Sequence, residues 1–181
     1  MASADRMRLF GLAAWSGSGK TTLLARLLPE LIGRGLSVST VKHAHHEFDL
    51  DQPGKDSFRH REAGATEVMI TSARRWAVQH ELRGEAEPAL EDLVARMSPV
   101  DLLLVEGFKR HAHPKLEVLR ASLGKEPLYP SDPLIRAIYA VERLPAPLCA
   151  TIRLPIYDES DIAGLADLII AEAAPIEGPN A

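Results

Sequence analysis

Cysteine is nearly missing: Cys149 is the single one in 181 residues, so no intrachain disulfide can form. The fold must rest on a packed core, in keeping with a reducing compartment. Aromatic residues are scarce at 5%, and no apolar run approaches the roughly 18 residues of a membrane span. The opening residues lack the basic region and apolar stretch of a secretory signal. Positive charge is not in excess either, with 21 basic against 25 acidic residues and a net charge of -4. That balance argues against bulk electrostatic binding to DNA or to an anionic membrane while leaving local basic sites open. The expectation is a cytoplasmic protein that engages neither nucleic acid nor membrane.

What is present is enough apolar material, 46% of residues, for a chain of this length to hide roughly 70% of its unfolded surface. A single domain is expected over residues 1–174, with a disordered tail over 175–181. Six of the 13 prolines lie between Pro127 and Pro155, a stretch in which no ordinary helix is expected.

The pattern opens β-loop-α-β. Residues 8–14 are short and apolar and end in a glycine-rich turn; from Lys20 onward Leu23, Leu24, Leu27, Leu28, Leu31 and Ile32 recur at helical spacing until Gly33 and Gly35 stop them. A second strand is expected over 36–41 and a short helix over 57–63, capped by Asp56 or Ser57. Further strands are expected over 67–70, 75–80, 101–105, 115–119 and 135–141. Helices are expected over 88–97 and again from a cap at Asp158 or Ser160 to about residue 173. Strands alternating with helices imply a three-layer α/β fold with a mostly parallel sheet, in which ligands sit at the carboxyl ends of the strands.

The sharpest signal is Ala14-Trp15-Ser16-Gly17-Ser18-Gly19-Lys20-Thr21-Thr22, a phosphate-loop pattern with Ala14 in place of the first glycine. Small residues let successive backbone N–H groups curl around phosphates at the positive end of the following helix. Lys20 would reach the β- and γ-phosphates and the Thr21 hydroxyl would hold Mg²⁺. The strand 101–105 then delivers Glu106 at its carboxyl end, where a Mg²⁺-linked acid belongs. Asp101, at the other end about 16 Å away, cannot serve the same metal.

After the second strand, Lys42-His43-Ala44-His45-His46-Glu47-Phe48-Asp49-Leu50-Asp51 gathers three of the seven histidines beside two aspartates. Without cysteine it is a poor zinc site. Its expected place is beside the γ-phosphate, with Asp49 or Asp51 facing Mg²⁺ or its water shell, or else on the solvated surface. Lys55 and Arg61 could bind a second anionic ligand.

Four blocks, at 13–24, 42–57, 61–65 and 104–109, occur together in the order and frame of the MobB family, which this chain strongly resembles. The resemblance covers most of the chain, and the His/Asp block gives it specificity. It implies a P-loop nucleotide-binding fold and a GTP-binding homodimer acting as an adaptor in molybdenum cofactor biosynthesis. Such an adaptor assists a guanylyltransferase in attaching GMP to molybdopterin to form molybdopterin-guanine dinucleotide, with only weak GTP hydrolysis of its own. It further implies that Ser16, Gly17, Ser18, Gly19, Lys20, Thr21 and Thr22 hold the phosphates, with Trp15 beside them, and that Thr21 and Glu106 serve Mg²⁺. The block from His43 through Lys55 to Asp56 is implied to lie by the γ-phosphate or the pterin, and Glu142 stands in as the carboxylate that reads the guanine base. Two other functions use the same loop. A small-molecule kinase would take Asp49 or Asp56 as its general base, and a metal-insertion GTPase would use the histidines, although neither a cysteine pair nor a long histidine tract is present.

Overall fold

The structure is a computed structural model and describes residues 7–44, 48–108 and 111–176. In chain order the elements are β1 (Arg8–Ala13), α1 (Lys20–Gly33), β2 (Val38–Lys42), α2 (Asp56–Glu62), β3 (Glu67–Thr71), β4 (Trp76–His80) and α3 (Leu90–Val94). They continue with β5 (Leu102–Glu106), β6 (Lys115–Leu119), β7 (Ile135–Ala140), α4 (Ala146–Thr151), β8 (Ile156–Tyr157), α5 (Ile162–Glu172) and β9 (Ala174–Pro175). Two compact units result, one made of residues 44–93 and the other of the chain on either side of it.

The larger unit holds a sheet in the order β2-β5-β1-β6-β7-β8, parallel throughout, with β9 antiparallel beside the start of β1. Its central strands are apolar because both faces are covered. On one face Leu23, Leu27 and Leu31 of α1 and Leu165, Ala166 and Ile169 of α5 meet Phe10, Leu12, Leu116 and Val118. The other face carries Ile135, Ile138 and Ala140, packed with Leu144, Ile152 and Leu148 of α4. This is the three-layer α/β architecture that the alternating pattern implies. The Arg8 guanidinium ties the sheet to α5 by donating to the carbonyls of Ile170, at 2.7 Å, and Ala173, a cation at the negative end of a helix.

The second face also buries charge. Lys115 Nζ donates to Asp132 Oδ2 at 3.1 Å and to the His111 carbonyl at 2.9 Å, and Glu117 accepts from the backbone N–H groups of Leu128 and Tyr129, both at 2.8 Å. The His113 ring lies over Gly11, where an added Cβ would sit 2.1 Å from Nε2; only glycine fits this point of β1. Burial and the neighbouring Lys115 charge push the His113 pKa down to about 4.

Five expectations need correction. A helix does form within the proline-rich stretch: α4 begins after Pro145 and places Pro147 in its first turn, where a missing N–H breaks no helical bond. The cap of α5 is Asp161, whose Oδ1 accepts from the Gly164 N–H at 2.9 Å, while Asp158 is taken up by Ser160. The cap position of α2 is Lys55, with Asp56 already helical and no side-chain capping bond. The helix expected over 88–97 shrinks to α3, because Met97 N–H closes a tighter turn on the Val94 carbonyl before Ser98-Pro99 can leave the helical region. Within the expected tail, Pro175 pairs with Arg8 and the Ile176 N–H bonds the Met7 carbonyl at 3.1 Å; residues 177–181 lie outside the described residues.

The smaller unit is built differently. β3 and β4 form an antiparallel hairpin in which Met69 faces Val78 and Thr71 faces Trp76. Polar contacts stitch it together. Arg61 meets Asp49, Asp51 at 3.2 Å and Glu81 at 3.5 Å and lies over the Phe58 ring at 5.0 Å.

Candidate functional site

β1 ends at Ala13 and the chain turns through residues 14–19 into α1. Gly17 and Gly19 carry φ of +79° and +94°, the left-handed region that side chains disfavour. Ala14 has no positive φ, since Arg83 and Phe108 are the sole non-glycine residues with one among the described residues; alanine is therefore accommodated where the pattern has glycine. Ser18 is buried and donates its N–H to the Trp15 carbonyl at 3.3 Å. Ser16, Thr21 and Thr22 are exposed at the mouth of the turn, and Lys20 Nζ lies 3.5 Å from the Trp15 carbonyl oxygen. α1 has no capping side chain at Gly19 and no acid in its first turn. Its first N–H groups, aimed along a 14-residue dipole, lack an anion of the helix's own, which suits a phosphate chain. The Trp15 indole N–H donates to the Glu126 carbonyl at 2.8 Å, so its ring edge is held by a hydrogen bond within the chain.

β5 runs beside β1 with Glu106 paired to Leu12, which puts the Glu106 carboxylate at the strand's carboxyl end, next to the loop. β2 lies on the outer side of β5, and the His43 N–H donates to the Glu106 carbonyl at 2.8 Å. A Cβ on Gly107 would fall 2.7 Å from His43 Cβ, and Gly107 and Phe108 both take positive φ, +94° and +46°. The His43 and Phe108 rings meet at 4.9 Å. Sequence spacing offered no sign of this pairing, which depends on β2 and β5 being neighbours.

On the opposite flank, β7 ends at Ala140 and leads into Val141-Glu142. The Glu142 carboxylate accepts from the Ser122 N–H at 2.6 Å and the Ser122 hydroxyl at 2.9 Å, and these donors hold it below the usual carboxylate range. Glu142, Arg143, Cys149, Asp158 and Ser160 line an open cleft of about 730 Å³ at the ends of β7 and β8. Asp158, expected from the sequence as a helix cap, is a second acid here, held below the usual carboxylate range by the Ser160 hydroxyl and N–H.

The remaining sequence candidates lie in the smaller unit. Asp49 is ion-paired with Arg61, and the Arg61 guanidinium meets three carboxylates of its own unit, which neutralise the charge expected to draw a second anionic ligand. Lys55 and Asp56 open α2. His45, His46, Glu47, Lys109 and Arg110 lie outside the described residues. No group of three or more His, Cys, Asp or Glu side chains is placed to hold a metal ion among the described residues, and no helix there is long and apolar enough to cross a membrane.

Residues 9–141 match the family model of MobB, molybdopterin guanine dinucleotide synthesis protein B. The chain belongs to the MobB family. A molybdopterin-guanine dinucleotide biosynthesis adapter protein of Escherichia coli K12 is 40% identical to it over 174 residues, covering 94% of this chain and 95% of that protein. The adapter protein of Haemophilus influenzae is 41% identical over 137 residues, 74% of this chain and 75% of its own. Among solved structures, MobB of Bacillus subtilis superposes with a TM-score of 0.68 at 23% identity, covering 93% and 99% of the two chains. At that identity the match speaks for the fold, and the fold of this MobB-family chain is the one built above.

Proposed function

We propose that this MobB-family chain is an adapter in molybdopterin-guanine dinucleotide biosynthesis that binds GTP with Mg²⁺ and assists a cytoplasmic guanylyltransferase in attaching GMP to molybdopterin. Family membership and the 40% identity to the Escherichia coli adapter protein support the pathway. The observation that carries nucleotide binding is the turn between β1 and α1, with Gly17 and Gly19 in the left-handed region at the start of a helix that carries no cap and no acid. The donor set fits a nucleoside triphosphate and a hard cation: backbone N–H groups and Lys20 for phosphate oxygens, the Thr21 hydroxyl and the Glu106 carboxylate for Mg²⁺. Bound Mg²⁺ would neutralise phosphate charge. The residues orient: Lys20 draws the terminal phosphates into the loop, and the cleft of Glu142 and Asp158 accepts N–H groups of the guanine base.

Turnover of GTP by the protein alone is expected to be slow, since no glutamine or arginine is committed to the γ-phosphate side, and an arginine there is worth about 10³ to 10⁵ in rate. The kinase alternative draws less support, because the Asp49 carboxylate is engaged by the Arg61 guanidinium within the smaller unit. A homodimer is supported by the hairpin: Met69, Trp76 and Val78 share one face of it, with Met69 and Trp76 66% and 65% exposed, and a two-stranded ribbon seldom stands alone in water.

Competition binding of GTP against ATP, with and without molybdopterin, tests the reading. GTP should win, and Lys20→Ala should weaken it about 10- to 100-fold, the worth of a charge-assisted contact. Preference for ATP with phosphoryl transfer to a small acceptor would establish the kinase instead.

A further inference from the structure

Glu106 and a second charged residue, Arg120, stand at the carboxyl ends of β5 and β6, the two strands that flank β1 on opposite sides. The segment after β6 closes on the phosphate loop. A Cβ built on Gly19 would lie 3.5 Å from an Arg120 guanidinium nitrogen and 3.4 Å from Val141, and one on Gly17 would lie 3.9 Å from Leu123. The guanidinium thus stands against the loop on the β6–β7 side, the side of the cleft lined by Glu142 and Asp158.

Its local partners do not account for it. Arg120 Nε is buried and makes no hydrogen bond. Glu142 is the acid whose charge it faces, and the hydrogen bonds of that carboxylate go to the Ser122 N–H and hydroxyl rather than to the guanidinium. Guanidinium is suited by its planar fork to phosphate, and a buried donor without an acceptor calls for one.

We propose that Arg120 is a phosphate-binding residue whose guanidinium contacts, from the β6–β7 side of the loop, the nucleotide phosphate nearest the nucleoside. Lys20 then serves the far end of the phosphate chain and Arg120 the near end, with Ser122 and Glu142 holding the arginine's segment in place. This rests on the nucleotide reading above. It leaves slow hydrolysis as expected, because the arginine lies on the flank away from Glu106 and the γ-phosphate.

The test is calorimetric titration of the full chain and of its Arg120→Ala, Arg120→Lys and Lys20→Ala variants with GTP, GDP and inorganic pyrophosphate. Arg120→Ala should weaken GTP and GDP equally, by about tenfold or more, with pyrophosphate affinity within twofold of the parent; Arg120→Lys, which keeps the charge and loses the fork, should fall between. Unchanged GTP and GDP affinity in Arg120→Ala, with Lys20→Ala impaired, overturns the role of Arg120 and leaves the nucleotide site standing. Equal loss of pyrophosphate binding in Arg120→Ala also overturns it, since that marks a collapsed loop. If Lys20→Ala too binds GTP as the parent does, the nucleotide reading falls and this proposal with it. Should Arg120→Ala not fold, Arg120→Lys decides by the same comparison.

Discussion

Leu103 in β5 and Met69 in β3 are both apolar strand residues, yet Leu103 is fully buried and Met69 keeps two thirds of its surface. The larger unit wedges parallel strands between α1 and α5 on one face and α4 on the other, so every side chain of β6 is buried whatever its direction. The hairpin of the smaller unit has Val68 as the single buried residue of its two strands; His80 meets Glu67 across it at 2.8 Å, and Arg61 gathers three carboxylates beside it. One unit is held by area removed from water; the other is held by polar contacts and keeps an apolar face for a neighbour. The division matches the functions proposed for them: a rigid sheet edge can hold a phosphate loop in shape, and an unpaired face can meet a second copy.

Substitution can break this contrast at its strongest point. Leu103→Ala should cost about 2–5 kcal/mol of unfolding free energy, whereas Met69→Ala, similar in chemistry, should stay within about 0.5 kcal/mol in dilute solution; denaturant titrations giving similar losses for both would dissolve the distinction. The next effect probes the charge buried in the larger unit. His113, facing Lys115, His111 and Asp132, stays neutral in the folded chain down to about pH 4, while an unfolded imidazole takes up its proton near pH 6.5. Between those values the unfolded state binds more protons, so stability falls as the pH drops from about 6.5 to 4, by up to about 3 kcal/mol. His113→Gln should flatten that limb of the pH–stability curve, and a curve identical to the parent's would remove His113 as its source. The smallest effect on the fold belongs to the hairpin: Trp76→Ser should move the unfolding midpoint little, yet shift the mass seen by light scattering from dimer toward monomer. A variant that remains dimeric would place the contact between copies elsewhere.

The loop and its two flanking strands were readable from residues 8–33 and 101–106 because each signal is local: an apolar run, glycines at a turn, leucines at helical spacing. β6 was read to the residue, and so was the start of the hairpin. The cap of α5 is not legible in the sequence, since Asp158, Ser160 and Asp161 are equivalent there and only the path of the chain brings Asp161 to the Gly164 N–H. The two-residue strands β8 and β9 have no periodicity to show. α4 was hidden by its prolines, whose effect depends on the position in the turn that each one takes.

Candidate residues divide in the same way. Lys20, Thr21 and the loop glycines declare themselves, because phosphate chemistry requires those types at consecutive positions. Arg120, Asp158, the His43–Phe108 contact and the His113–Gly11 stack follow no spacing rule, since each joins residues from elements far apart in sequence or turns on a side-chain direction. By itself the sequence determined the phosphate-loop pattern on which the proposed ligand rests, and the order of its strands and helices along the chain. The tertiary structure decided which charges face the loop and which are consumed elsewhere: Arg61 is drawn into a carboxylate cluster, while Arg120 is brought against Gly19. The physical reason is that the strength of an ionic contact depends on the distance and dielectric between its partners, and both are set by how the strands lie side by side.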